Sequence, residues 1–128
     1  MLNIIIVGSG GFIGSVLRYL IGIGIHALLR SATFPYGALA ANLIGCLLIG
    51  LLNGLADERV LLSPQTRLFL FTGMLGGFTT FSTFSLDTFT IMRDHDTFAL
   101  AFAALHIFSH VALGLAAVYL GNWLARAV

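Results

Sequence analysis

Apolar residues along this chain fall into four long runs separated by three short polar connectors. The first run covers about Leu2 to Leu29 and is interrupted by Arg18 and His26. The second, Tyr36 to Leu55, carries no charge. The third starts near Leu68, extends to about residue 91 and meets its first charge at Asp87. The fourth covers Phe98 to Leu124 and contains His106 and His110. A helix needs ~20 residues to cross the hydrocarbon core, and each run reaches that length. Irregular backbone facing lipid would leave amides and carbonyls unsatisfied, so helices are the spanning option. The pattern therefore predicts an all-α membrane protein. Residues 1–128 form one four-helix transmembrane domain, with approximate spans 2–29, 36–55, 68–91 and 98–124. The connectors carry turn and charge signals: Ser31, Thr33 and Pro35, then Asp57–Arg59 with Pro64, then the tight charged stretch from Arg93 to Asp96.

Composition agrees. The chain is 59% hydrophobic and only 9% charged, against about 25% charged in soluble domains. Six arginines, no lysine and five acids are too few to solvate a globular surface, so lipid is the main neighbour. A net charge of +1 weighs against a nucleic-acid partner. Cys46 is the single cysteine and sits in an apolar run, so no intramolecular disulfide is possible. No signal-peptide cleavage pattern precedes the first run, which is read as a retained span.

Four spans place both termini on one side. Arg59, Arg67 and Arg126 then lie on the terminal side, with Arg30 and Arg93 opposite. Three against two is almost no bias, where a firm topology shows a clear excess of basic residues in cytoplasmic loops. The expectation is a chain that inserts in both orientations.

The N-terminus offers a nucleotide-loop decoy. Leu2–Val7 followed by Gly8-Ser9-Gly10-Gly11-Phe12-Ile13-Gly14 looks like a strand and a glycine-rich phosphate loop. A dinucleotide site wants an acid ~20 residues further on, yet the first acid after Gly14 is Asp57. Close helix packing explains the glycines better: Gly10/Gly14, Gly50/Gly54 and Gly73/Gly77 are each a small-xxx-small pair.

The third run holds the strongest chemical signal. Residues 73–85 read Gly-Met-Leu-Gly-Gly-Phe-Thr-Thr-Phe-Ser-Thr-Phe-Ser. Each glycine of Gly76-Gly77 costs about 1 kcal/mol relative to Ala in a helix, and β-branched Thr79 and Thr80 follow. This predicts a third helix broken near mid-span, whose freed carbonyls need a partner at bilayer depth. Broken membrane helices use such carbonyls to bind cations. Beyond the glycines, Phe78, Phe81 and Phe84 recur every third residue, with Thr79, Ser82 and Ser85 in a parallel row. Aromatic ring edges carry the positive end of the quadrupole and hydroxyls donate hydrogen bonds. A track of edges and donors without a fixed charge suits a small, strongly hydrated anion that must bind weakly enough to leave. Core packing, with hydroxyls bonded back to their own helix, is the competing reading.

These residues carry a family resemblance. Gly73-x-x-Gly76-Gly77-Phe78-Thr79-Thr80-Phe81-Ser82-Thr83-Phe84 resembles the signature of the Fluc (CrcB) fluoride channels. Arg18-Tyr19, and Gly37 through Asn42-Leu43-x-Gly45, are similar to that family's first and second helices. The resemblance implies a dual-topology antiparallel homodimer in a bacterial inner membrane, with two pores that export fluoride passively. It implies that Phe81 and Phe84 contact fluoride by their ring edges, that Asn42 is an amide donor, and that Thr80, Ser82 and Thr83 are hydroxyls of the pore wall. The backbone carbonyls of Gly76 and Thr79 match ligands of a structural Na+ at the dimer centre, two from each chain. Arg18 matches a vestibule arginine, in keeping with the cost of a charge inside a span.

The chain departs from the family pattern at Ala38, where threonine is common, and at Phe102, where some members carry a pore-facing tyrosine. His106 and His110 stand at positions that often hold Ser or Asn, and His110 falls on a serine of the pore wall. If His110 faces the pore, its conductance becomes pH-sensitive, because histidine changes charge between pH 5 and 8. Their i, i+4 spacing also suits a metal, but no further ligands lie nearby in sequence, so neutral, hydrogen-bonded histidines lining the pore or the dimer seam are expected instead. A small multidrug exporter, also four helices, is the alternative; it needs a Glu inside the membrane, whereas Glu58, the sole Glu, lies in a connector. A non-transporting assembly protein leaves the hydroxyl track unexplained. The spans hold no acid–base pair or activated nucleophile, so no enzyme is expected.

Overall fold

The computed structural model describes residues 1–29, 34–58, 62–94 and 97–127. Arg30 and Arg59, both used in the charge count above, lie outside them. The described residues are helical, with no strand among them. Helix α1 is Leu2–Leu29 and α2 is Tyr36–Glu58. Helix α3 covers residues 64–78, α4 is Phe81–Arg93, and α5 is Ala99–Arg126. Among the described residues, four helical stretches are long and apolar enough to cross a membrane: Leu2–Leu29, Tyr36–Ala56, Pro64–Arg93 and Ala99–Arg126. The third of these joins α3 and α4.

Local chemistry sets the ends. Helix α3 starts at Pro64, before the apolar run itself, because the Ser63 hydroxyl accepts a hydrogen bond from the Thr66 amide at 3.1 Å. A serine cap followed by proline at the first helical position is a strong start signal. Leu68–Leu75 of α3 and Ser109–Leu113 of α5 wind as π-helix. Such widened turns gather at functional sites.

Glycine decides how the helices cross. Helix α1 packs along α3, and α2 along the C-terminal half of α5, while α4 lies against the N-terminal half of α5. A Cβ on Gly10 would lie 2.6 Å from the Phe69 carbonyl, and one on Gly77 would lie 2.5 Å from the Gly11 carbonyl. On the second seam, a Cβ on Gly50 would run into the Val118 carbonyl. Backbone touches backbone at both crossings, as small-residue pairs permit in membranes. Outside these seams large apolar side chains face outward, including Phe12, Leu28 and Tyr119.

The glycine pair does not itself interrupt the helix. Gly76 and Gly77 are helical, and the chain leaves helical geometry at Thr79 (φ −91°, ψ 156°) and Thr80 (φ −151°, ψ 122°). Asn42 of α2 explains the position. Its Oδ1 accepts from the Thr80 amide at 2.8 Å and its Nδ2 donates to the Thr80 carbonyl at 3.2 Å. An extended residue can offer both groups to one side-chain amide. The Thr80 hydroxyl then caps α4 by accepting from the Thr83 amide at 3.3 Å.

Candidate functional site

A cavity of about 380 Å³ lies beside the Thr79–Thr80 corner. Asn42 and Cys46 line it from α2, Gly76 from α3, Thr79 and Thr80 from the corner, Phe81 and Phe84 from α4, and His110 from α5. Residues far apart in sequence therefore meet because the extended corner turns the start of α4 toward α2. Phe81 is 79% exposed, whereas Phe84 is half-buried. Their ring centroids are 5.5 Å apart, with planes tilted by 44°.

The three-residue aromatic row splits at the corner. Phe78, on the far side of Thr79, is buried in the helix packing and does not join Phe81 and Phe84. The extended pair resets the helical phase, which spacing alone does not reveal. The hydroxyl row splits too. Ser85 donates to the carbonyl of Phe81 on its own helix at 2.9 Å, as serine in a helix often does. Thr80, Ser82 and Thr83 cluster instead: Thr80 Oγ1 lies 3.1 Å from Ser82 Oγ and 3.2 Å from Thr83 Oγ1. Thr83 also borders a second cavity of about 270 Å³, with His26, Tyr36 and Asp87.

Asn42 is more than a free donor, since its oxygen and one amide hydrogen are held by Thr80. One amide hydrogen remains. Arg18 is half-buried in α1, and its Nε is buried without a hydrogen-bond partner among the described residues. On the opposite wall, His110 Nδ1 lies 3.0 Å from the His106 carbonyl. A carbonyl only accepts, so Nδ1 carries the proton, and the buried Nε2 has no partner among the described residues. Ala38 lines the second cavity, and Phe102 is exposed.

The carbonyls of Gly76 and Thr79 fit the chemistry of a hard monovalent cation. In an unbroken helix each would accept from the amide four residues on. Here the Thr80 amide donates to Asn42, and the Thr83 amide donates to Thr80 Oγ1. The same corner thus diverts the helical partner of both oxygens. Among the described residues no three His, Cys, Asp or Glu side chains gather into a metal site. His106 and His110 have only each other, with ring centroids 4.4 Å apart.

The sequence marks His106 as a departure from the family pattern and as half of an i, i+4 pair, and assigns Thr88 no role. Yet His106 is fully buried and its Nδ1 lies 2.9 Å from Thr88 Oγ1. The signal in the sequence is a histidine inside an apolar span, which burial obliges to find a hydrogen-bond partner.

A family model described as CrcB-like protein, Camphor Resistance (CrcB), matches residues 5–122. The chain is 46% identical over 126 residues to the fluoride-specific ion channel FluC of Agrobacterium fabrum, covering 98% of each chain. It is 44% identical to the FluC of Geobacter sulfurreducens, again over 98% of each chain. With the FluC of Chlorobaculum tepidum it shares 43% identity over 98% of this chain and 96% of the relative. Four apolar helices and full-length likeness to ion channels make this a multi-pass membrane protein. The motif of the third span, the length and the helix count all converge on one conclusion: the chain belongs to the CrcB (FluC) family.

Proposed function

We propose that this protein is a passive fluoride-selective channel that exports fluoride across a bacterial inner membrane, and is not an enzyme. The observation that carries the reading is the cavity at the Thr79–Thr80 corner, which gathers Asn42, Thr80, Phe81, Phe84 and His110 in a chain 46% identical to a fluoride-specific channel. Fluoride sheds most of its water and is held in turn by ring edges, hydroxyls and the remaining Asn42 amide hydrogen. Ser82 and Thr83 continue the donor path, and Arg18 draws anions to the vestibule. Among the described residues no fixed positive charge lines the cavity itself, so the ion can leave. Chloride is larger and a weaker hydrogen-bond acceptor, and the same donors compensate its dehydration less well.

The working unit in this reading is an antiparallel homodimer of chains inserted in both orientations, with two pores. The third span acts as two pieces, α3 and α4, hinged where the backbone is extended. The carbonyls of Gly76 and Thr79 would hold a structural Na+ jointly with the same pair from the partner. Bound there, such an ion would supply positive charge to oxygens that lack their helical amides, and would tie two chains together at their corners.

Fluoride efflux from liposomes containing the purified protein tests this, with chloride as control and with sodium present or absent. Rapid efflux of fluoride alone is expected. Equal rates for both halides would defeat the selectivity claim, and indifference to sodium removal would defeat the Gly76/Thr79 assignment.

A further inference from the structure

We propose that His106 and Thr88 are positioning residues that hold the Phe84 ring at the angle from which it meets the anion; this rests on the channel reading above. Three elements meet at His106. Its ring stacks on Phe84, with centroids 5.3 Å apart and planes only 22° from parallel. Phe34 packs edge-on at 5.3 Å, and His110 does so at 4.4 Å. His110 also leans on Phe84, at 4.7 Å and 48°. Phe84 is therefore packed against three rings, two imidazoles and that of Phe81.

Hydrogen bonds fix the orientation of the clamp. Thr88 Oγ1 lies 2.7 Å from the Phe84 carbonyl, which only accepts, so the single hydroxyl proton of Thr88 goes there. The Thr88 oxygen then accepts from His106 Nδ1–H at 2.9 Å. The imidazole plane is pinned by this bond, and the Phe84 ring lies against that plane. One relay thus connects the Phe84 backbone, Thr88, His106 and the Phe84 ring. Both polar members are buried: His106 is 0% and Thr88 is 8% exposed.

Packing alone does not call for a histidine here. His106 Nε2 is buried without a partner among the described residues, which costs the desolvation of that atom. An apolar ring would fill the space without that cost. What histidine adds is a ring whose plane is set by a hydrogen bond. The angle matters because an aromatic ring repels an anion from its face and attracts it with its edge. A Phe84 free to tilt would show the wrong part of its quadrupole.

The ratio of fluoride to chloride efflux from one liposome preparation reads this directly, since the number of folded channels cancels. Thr88→Val keeps the volume and removes the hydroxyl; Thr88→Ser keeps the hydroxyl; His106→Ala removes the clamp. The ratio should fall about tenfold in His106→Ala and severalfold in Thr88→Val, and stay within about twofold of wild type in Thr88→Ser, on the scale expected for losing one buried hydrogen-bonded contact. If His106→Ala does not fold, Thr88→Val against Thr88→Ser decides. An unchanged ratio in Thr88→Val, with only a lower amount of active channel, would overturn the proposal and leave the channel reading intact. A wild type that passes both halides equally would defeat both.

Discussion

The glycine seams and the aromatic wall solve opposite problems within one bundle. At the seams, α1 meets α3 and α2 meets α5 with no side chain between: a Cβ on Gly14 would run into the Met74 carbonyl, and one on Gly121 into that of Leu47. At the wall, the rings of Phe81, Phe84, His106 and His110 pack on one another, with His110 tied to the His106 carbonyl and His106 to Thr88. The seam stabilises by removing side chains. The wall works by keeping a cavity open between large ones. Stability should therefore concentrate at the seam and transport at the wall, and the two can be perturbed separately.

The hardest test of this division is Gly14→Ala. The added methyl meets backbone, which cannot rotate away, so a loss of about 3 kcal/mol or more is expected from overpacking. Thermal unfolding and monodisperse recovery in detergent would show it, and a variant as stable as wild type would erase the seam side of the comparison. Asn42→Ala comes next because its side chain both holds the corner and lines the cavity. It leaves the part-buried Thr80 amide and carbonyl without their partner, costing about 2 kcal/mol, and it also removes the amide donor proposed for the pore. Efflux should drop further than the loss of folded protein explains. Asn42→Ser, too short to bridge Thr80 in the same way, should also slow efflux.

Phe81→Ile separates the regions most cleanly. The ring is 79% exposed, so unfolding should shift little, while fluoride efflux should fall about tenfold with the loss of a ring edge. Normal efflux would remove Phe81 from the pathway. The smallest effect belongs to Gly24→Ala. Nothing lies within 4 Å of the added Cβ, and a helical glycine becomes alanine, so stability should stay level or rise by up to about 1 kcal/mol.

Some of this was legible from residue order. Apolar length and the scarcity of charge dictate four spans, because bilayer thickness and the cost of unpaired backbone leave no alternative. The small-xxx-small pairs could be read as packing sites, and the structure sets Gly10/Gly14 against α3 and Gly50/Gly54 against α5. The run at residues 73–85 could be read as chemistry rather than filling. Its internal geometry could not. Local propensity points at Gly76-Gly77, but the extended residues are Thr79 and Thr80, because Asn42, 38 positions away in the chain, offers Thr80 two hydrogen bonds.

The amino-acid sequence by itself determined the environment, the number of spans and the family, since each follows from composition, run length and a contiguous motif. Tertiary structure alone decided which hydroxyls line the cavity, which phenylalanine drops into the core, and that His106 is a buried clamp on Phe84. Those outcomes depend on contacts between residues far apart in the chain, and a threefold spacing loses its meaning once an extended corner resets the helical phase.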